Sequence, residues 1–95
     1  MTKHEEYYVK MVEENQEVFN AFMEIHDKYA KDYKTWQTEF NHQGKEIVEI
    51  IREWERRLCQ HSERGQYGKF SGGLAEKFWI TVRKDFPKID FVGVK

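Results

Sequence analysis

Apolar and polar positions along the first forty residues recur with a helical period. Tyr8, Val12, Asn15, Phe19, Phe22, His26, Tyr29, Tyr33, Trp36 and Phe40 form one unbroken ladder of steps of four and three. Such steps place every side chain on a single stripe of an α-helix. Met11, Val18 and Ile25, one heptad apart, widen that stripe over its first two-thirds. A face this broad needs more than one neighbour. No proline or glycine occurs from Lys3 to Phe40, and Thr2 with Glu5 makes a Thr-x-x-Glu capping box at the start. The pattern predicts one helix over about 3–41. At ~1.5 Å per residue it would be on the order of 55–60 Å long.

The first punctuation is Asn41-His42-Gln43-Gly44, which suits a tight helix–helix turn with Gly44 at the helix end. A glycine inside a continuous helix would cost only ~1 kcal/mol, so a bent helix through Gly44 is the alternative. A second helix is expected over 45–61, with Ile47, Ile51, Trp54, Leu58 and His61 on its stripe and Val48 and Ile50 beside it. Residues 62–73 form a loop holding four of the six glycines. Ser71 is a good N-cap for a third helix over 72–86, where Leu74, Phe78, Val82 and Phe86 recur at every fourth position. Pro87 stops that helix, and Ile89, Phe91 and Val94 give the tail 87–95 an extended look, either a β-like arm or a docked segment.

These elements describe an all-α chain, 1–95, in a single helical-bundle domain. It consists of a long N-terminal helix in an antiparallel helical hairpin, a third helix and a short extended C-terminal tail. The lengths do not match. A second helix half as long as the first covers only the first helix's C-terminal half. A third helix could reach back over part of the remainder. Otherwise Tyr8, Met11, Val12, Asn15, Val18, Phe19, Phe22 and His26 are left facing outward, and a contiguous apolar face of that kind is normally buried by a partner. At ~1.5–3 kcal/mol per buried side chain, such a face could drive dimerisation. The expected role is a small protein-interaction module that self-associates through this stripe, or engages another protein with it.

Composition supports a folded chain. Charged residues are 35% and aromatics 16%, and a disordered chain would lack the aromatics. The net charge of −1 is unevenly spread. Residues 1–44 carry five lysines against nine acids, a net −4, whereas residues 45–95 carry eleven basic residues against eight acids, a net +3. All five arginines lie in the second half. Arg52, Arg56, Arg57, Arg64, Lys69, Lys77, Arg83, Lys84 and Lys88, with Tyr67, Phe70 and Trp79 available for stacking, outline a second reading as a binder of nucleic acid or an anionic ligand. The pI of about 6.4 and the interleaved acids argue against nucleic acid.

Candidate chemistry is sparse. The Gly-Lys-Phe-Ser-Gly-Gly tract before the third helix could place Arg64, Lys69 and Ser71 around an anion at a helix N-terminus. It lacks the residue order of a P-loop. Glu39 and His42 have the Glu-x-x-His spacing of di-iron bundles, but that site needs two such motifs. A metal-binding bundle assembled across a dimer is therefore a third reading. His26 and Asn15 interrupt the stripe as register-setting polar residues would. Cys59 has no CxxC partner, and His61 points elsewhere on the helix. No nucleophile motif occurs, so no catalytic activity and no cofactor are expected. A lone cysteine suits a reducing cytoplasm. The N-terminus lacks the apolar core of a signal peptide, and no apolar run approaches the ~18 residues of a membrane span.

Overall fold

The computed structural model describes residues 2–63 and 71–93. It is all-α. The helices are α1 (Lys3–Glu14), α2 (Gln16–Lys31), α3 (Tyr33–Glu63) and α4 (Ser71–Asp85), followed by a 3-10 turn over Ile89–Phe91. Among the described residues there is no strand. The N-terminus forms as the capping box predicts. The Thr2 hydroxyl accepts from the Glu5 N–H, and the Glu5 carboxylate accepts from the Thr2 N–H at 3.1 Å. The Thr2 hydroxyl also donates to that carboxylate at 2.6 Å, and this bond, with the one from the Thr2 N–H, holds the Glu5 carboxyl below its usual range.

The expected helix over 3–41 is interrupted twice, each time at a short polar residue. At Asn15 the backbone opens to φ −125° and ψ 35°. Its N–H is shared between the carbonyls of Met11 and Val12, while its side-chain amide donates to the Met11 carbonyl at 2.9 Å. A side chain that competes for the helix's own acceptors bends the chain at that point. At Asp32 the backbone turns away fully, with φ −146° and ψ 79°. The Asp32 carboxylate then caps α3, accepting from the Thr35 hydroxyl at 2.6 Å and the Thr35 N–H at 3.4 Å. Lys28 and Lys31 occupy the last turn of α2, where its dipole favours cations, and the Lys28 ammonium spans the turn to lie 4.7 Å from the Trp36 ring centre.

The hairpin turn is thus at Asp32, not at Gly44. Helix α3 continues through Gly44 and absorbs the helix expected over 45–61. Its 31 residues should span roughly 46 Å, and the longest dimension of the molecule is 48 Å. Contacts along α3 run in opposite chain order to those along α1 and α2. Tyr29 stacks on Phe40 at 3.9 Å and Phe22 lies 5.5 Å from it, while Tyr7 meets Trp54 at 6.1 Å. Helix α4 closes the bundle by packing on both α1 and α3. Its stripe is the expected one: Phe78, Val82 and Phe86 are buried and Leu74 half-buried.

The described part of the tail, 87–93, is not extended. Pro87 ends α4, and residues 88–93 fold back as a strap over α3. Ile89 enters the core, 2% exposed. The Ile89 N–H reaches the Phe86 carbonyl at 3.0 Å and the Gly93 N–H reaches the Asn41 side-chain oxygen at 2.9 Å. Gly93 takes φ +87°, a left-handed conformation that favours glycine. These acceptors, one local and one on α3, satisfy backbone groups that a β-arm would leave open, with Ile89 as anchor. Val94 lies outside the described residues.

Gly44 finds its reason here. A Cβ at position 44 would stand 2.6 Å and 2.9 Å from the two methyl carbons of Val92. The position is a hollow in α3 into which the strap packs. An exposed helical Gly→Ala change gains ~1 kcal/mol. Gly44→Ala is expected to lose stability instead, by about 1–3 kcal/mol as an overpacked contact. Urea unfolding of the two proteins side by side checks the sign.

Candidate functional site

Most of the aromatic stripe faces inward, with Tyr33 exposed. Tyr8, Met11, Phe19, Phe22 and His26 are buried in the chain's own core, and Val12, Asn15 and Val18 are half-buried. The residues expected to form an outward interface are instead covered by α3, which packs on both α1 and α2, by α4 on α1, and by Phe86 just beyond α4. Phe86 lies 6.0 Å from Phe19 and 5.4 Å from Phe22, and the Tyr8 hydroxyl donates to Asp85 at 2.6 Å. Burial, then the Asp85 hydrogen bond and charge, push the Tyr8 phenol well above its ordinary value. Association through Tyr8, Met11, Phe19, Phe22 or His26 would have to open the core.

His26 sits in this core as a latch for the strap. Its Nε2 accepts the Lys88 backbone N–H at 3.1 Å. The ring proton therefore resides on Nδ1, which faces the Asp27 carboxylate at 3.3 Å. Phe22, Phe40 and Phe86 surround the imidazole with ring centres 5.6–6.2 Å away. Glu39 and His42 are both exposed on α3. Among the described residues no group of three or more His, Cys, Asp and Glu side chains could hold a metal ion. Arg64 and Lys69 lie outside the described residues, as does the side chain of Ser71.

The surface feature with the richest chemistry is a groove of about 750 Å3 between α3 and α4. On α3 the spacing of Arg52, Glu55, Arg56 and Cys59 puts all four on one face, with Gln60 at the edge. Trp79 and Arg83, one turn apart on α4, form the facing wall, and Asp90 of the strap closes one end. Bonds between the elements brace the groove. The Trp79 indole N–H donates to Glu55. The Arg83 guanidinium lies 5.7 Å from the Trp79 ring centre and donates to Asp90 through two nitrogens, at 2.9 Å and 3.2 Å. That bond holds the guanidinium above its ordinary value. Arg56 pairs with Glu53. Arg52 is exposed and, among the described residues, forms no ion pair.

A second groove, of about 450 Å3, has the opposite character. It lies at the bend between α1 and α2 and is lined by Glu13, Glu14, Glu17 and Glu46 with Asn15, Gln16, Val18 and Ile50. Of the basic side chains singled out by sequence, the fold gathers Arg52, Arg56 and Arg83 with Trp79. It sends Arg57 to the other flank of α3, where it pairs with Glu53 at 3.5 Å and lies 5.0 Å from the Trp54 ring centre. Lys88 is placed over Phe91. The carboxylates of the groove, Glu55 and Asp90, were not singled out by sequence. The only signal was their placement opposite Trp79 and Arg83, which depends on how α3, α4 and the strap pack.

No protein-family model, curated protein or solved structure matches the chain. No described helix is long and apolar enough to cross a membrane.

Two measurements test the latch and the buried phenol. His26→Phe removes the acceptor of the Lys88 N–H and should cost about 1–3 kcal/mol of stability, read by urea unfolding. For Tyr8, the folded chain holds the phenol proton more tightly than the unfolded chain. Its contribution is therefore full below the ordinary phenol value of 10.0 and declines as pH rises above it. The stability difference between wild type and Tyr8→Phe should shrink in this alkaline range and stay flat between pH ~6 and ~9.

Proposed function

We propose that this chain is a small non-catalytic interaction module of the cytoplasm that binds an anionic partner in the α3–α4 groove. One observation carries the reading: Arg52, Arg56 and Arg83 converge on a single groove beside Trp79. Guanidinium groups recognise planar anions through paired N–H donors, and an adjacent indole supplies an apolar flank. The opposite groove, with its four glutamates, would repel the same partner. The lone Cys59 is compatible with a reducing compartment. The interaction role expected from the sequence is kept, but the surface moves from the aromatic stripe to the groove. Self-association through that stripe is not part of the proposal, because its large side chains fill the core.

The test is a titration of isotope-labelled protein with a tetraglutamate peptide, followed by amide NMR shifts. Shifts should concentrate at 52–60, 79–83 and 90. Arg52→Glu combined with Arg56→Glu should weaken binding by about tenfold or more, the scale of losing a charge-assisted hydrogen bond. Lys77→Glu, exposed on α4 outside the groove, should leave it nearly unchanged. Equal effects from both variants would show a diffuse charge response and sink the reading.

A further inference from the structure

The groove already holds two carboxylates, and both belong to this chain. Asp90 meets Arg83 edge-on, each carboxylate oxygen facing a different guanidinium nitrogen. Glu55 is held by the Trp79 indole N–H. Arginine forks and indole N–H groups are thus set at the spacing of protein carboxylates. A nucleic-acid strand is a poorer fit. It presents a run of phosphates and gains affinity from several phosphate contacts at once. Here three arginines are opposed by two carboxylates in the same groove, and Arg56 is further engaged by Glu53.

Asp90 is also placed as a competitor rather than as a fixed brace. Its backbone is pinned, because the neighbouring Ile89 is buried and the strap bonds to His26 and Asn41. Its side chain is exposed, at 58%, and Arg83 at 43%. An exposed pair is held weakly, so an incoming carboxylate can exchange with it at little cost. Arg52, which has no ion pair among the described residues, is available for first contact.

Resting on the proposed groove reading, we infer that the partner is an acidic segment of another protein, and that Asp90 occupies Arg83 as the chain's own substitute for a partner carboxylate, to be displaced on binding.

Fluorescence anisotropy with a fluorescein-labelled tetraglutamate peptide and an equally labelled oligodeoxythymidylate tests this at fixed low salt. Asp90→Asn should bind the peptide about two- to fivefold more tightly than wild type, the range covered by an exposed ion pair. Adding Arg83→Gln should cancel the gain. Asp90→Ser serves as a second variant, with thermal melting to confirm that the strap stays docked in each. Peptide binding that is unchanged or weaker in both Asp90 variants overturns the inference and leaves the groove reading standing. Tighter binding of the oligonucleotide than of the peptide overturns the choice of a protein partner. Failure of both probes to bind any variant overturns the groove reading, and the inference with it.

Discussion

The ring of Phe86 sits against Phe19, Phe22 and His26 at the point where α4 gives way to the strap. Through it, parts of the chain remote in sequence share one aromatic cluster, which Phe40 of α3 completes. The consequences run outward from there. Phe86 fixes the end of α4, so that Asp85 meets Tyr8 and Lys88 meets His26. It therefore also fixes where Arg83 and Asp90 stand at the edge of the groove. Each of these contacts is modest taken singly. Together they depend on aromatic surface removed from water, at ~1.5–3 kcal/mol for each fully buried ring.

Most of the fold was legible because helical period dominates this chain. Apart from Asn15 at a break and Phe86 just past α4, the ladder from Tyr8 to Phe40, the stripe from Ile47 to Leu58 and the stripe from Leu74 to Phe86 lie on helices. Where the breaks fall was less legible. Asn15 and Asp32 look like ordinary polar residues on or beside a strong apolar pattern, which continues through both. What ends the helix at Asp32 is an Asp-x-x-Thr cap, a weak local signal beside the absence of any glycine or proline. Gly44 carries the stronger turn signal, yet it is consumed by a close approach from Val92, nearly fifty residues away. A helix-breaking residue and a residue making room for a neighbour look alike until the neighbour is placed.

The candidate site was legible in part for a related reason. Arg52 and Arg56 share a helix face by their spacing, and Trp79 and Arg83 do likewise, so each wall could be read on its own. That the two walls face each other follows from α4 packing on α3, and the contribution of Asp90 follows from the strap turning back rather than extending. The aromatic stripe was misplaced for the converse reason. Unequal helix lengths predict its exposure, and with the turn at Asp32 the two arms of the hairpin are nearly equal in length. Helix α3 became long enough to run the length of the molecule, and α4 covered the remainder.

The same long helix has an electrical consequence. Helix α3 contributes Glu46 to an acidic flank and Arg52 and Arg56 to a basic one. A rigid rod thus holds opposite charges at a set separation in a chain whose total is only −1. To a distant partner the molecule is nearly invisible as a monopole but carries a permanent dipole. Within about one Debye length, ~10 Å at 0.1 M salt, that dipole exerts a torque. An acidic partner of the kind proposed would be turned before contact, and added salt would then slow its capture more than it speeds its release.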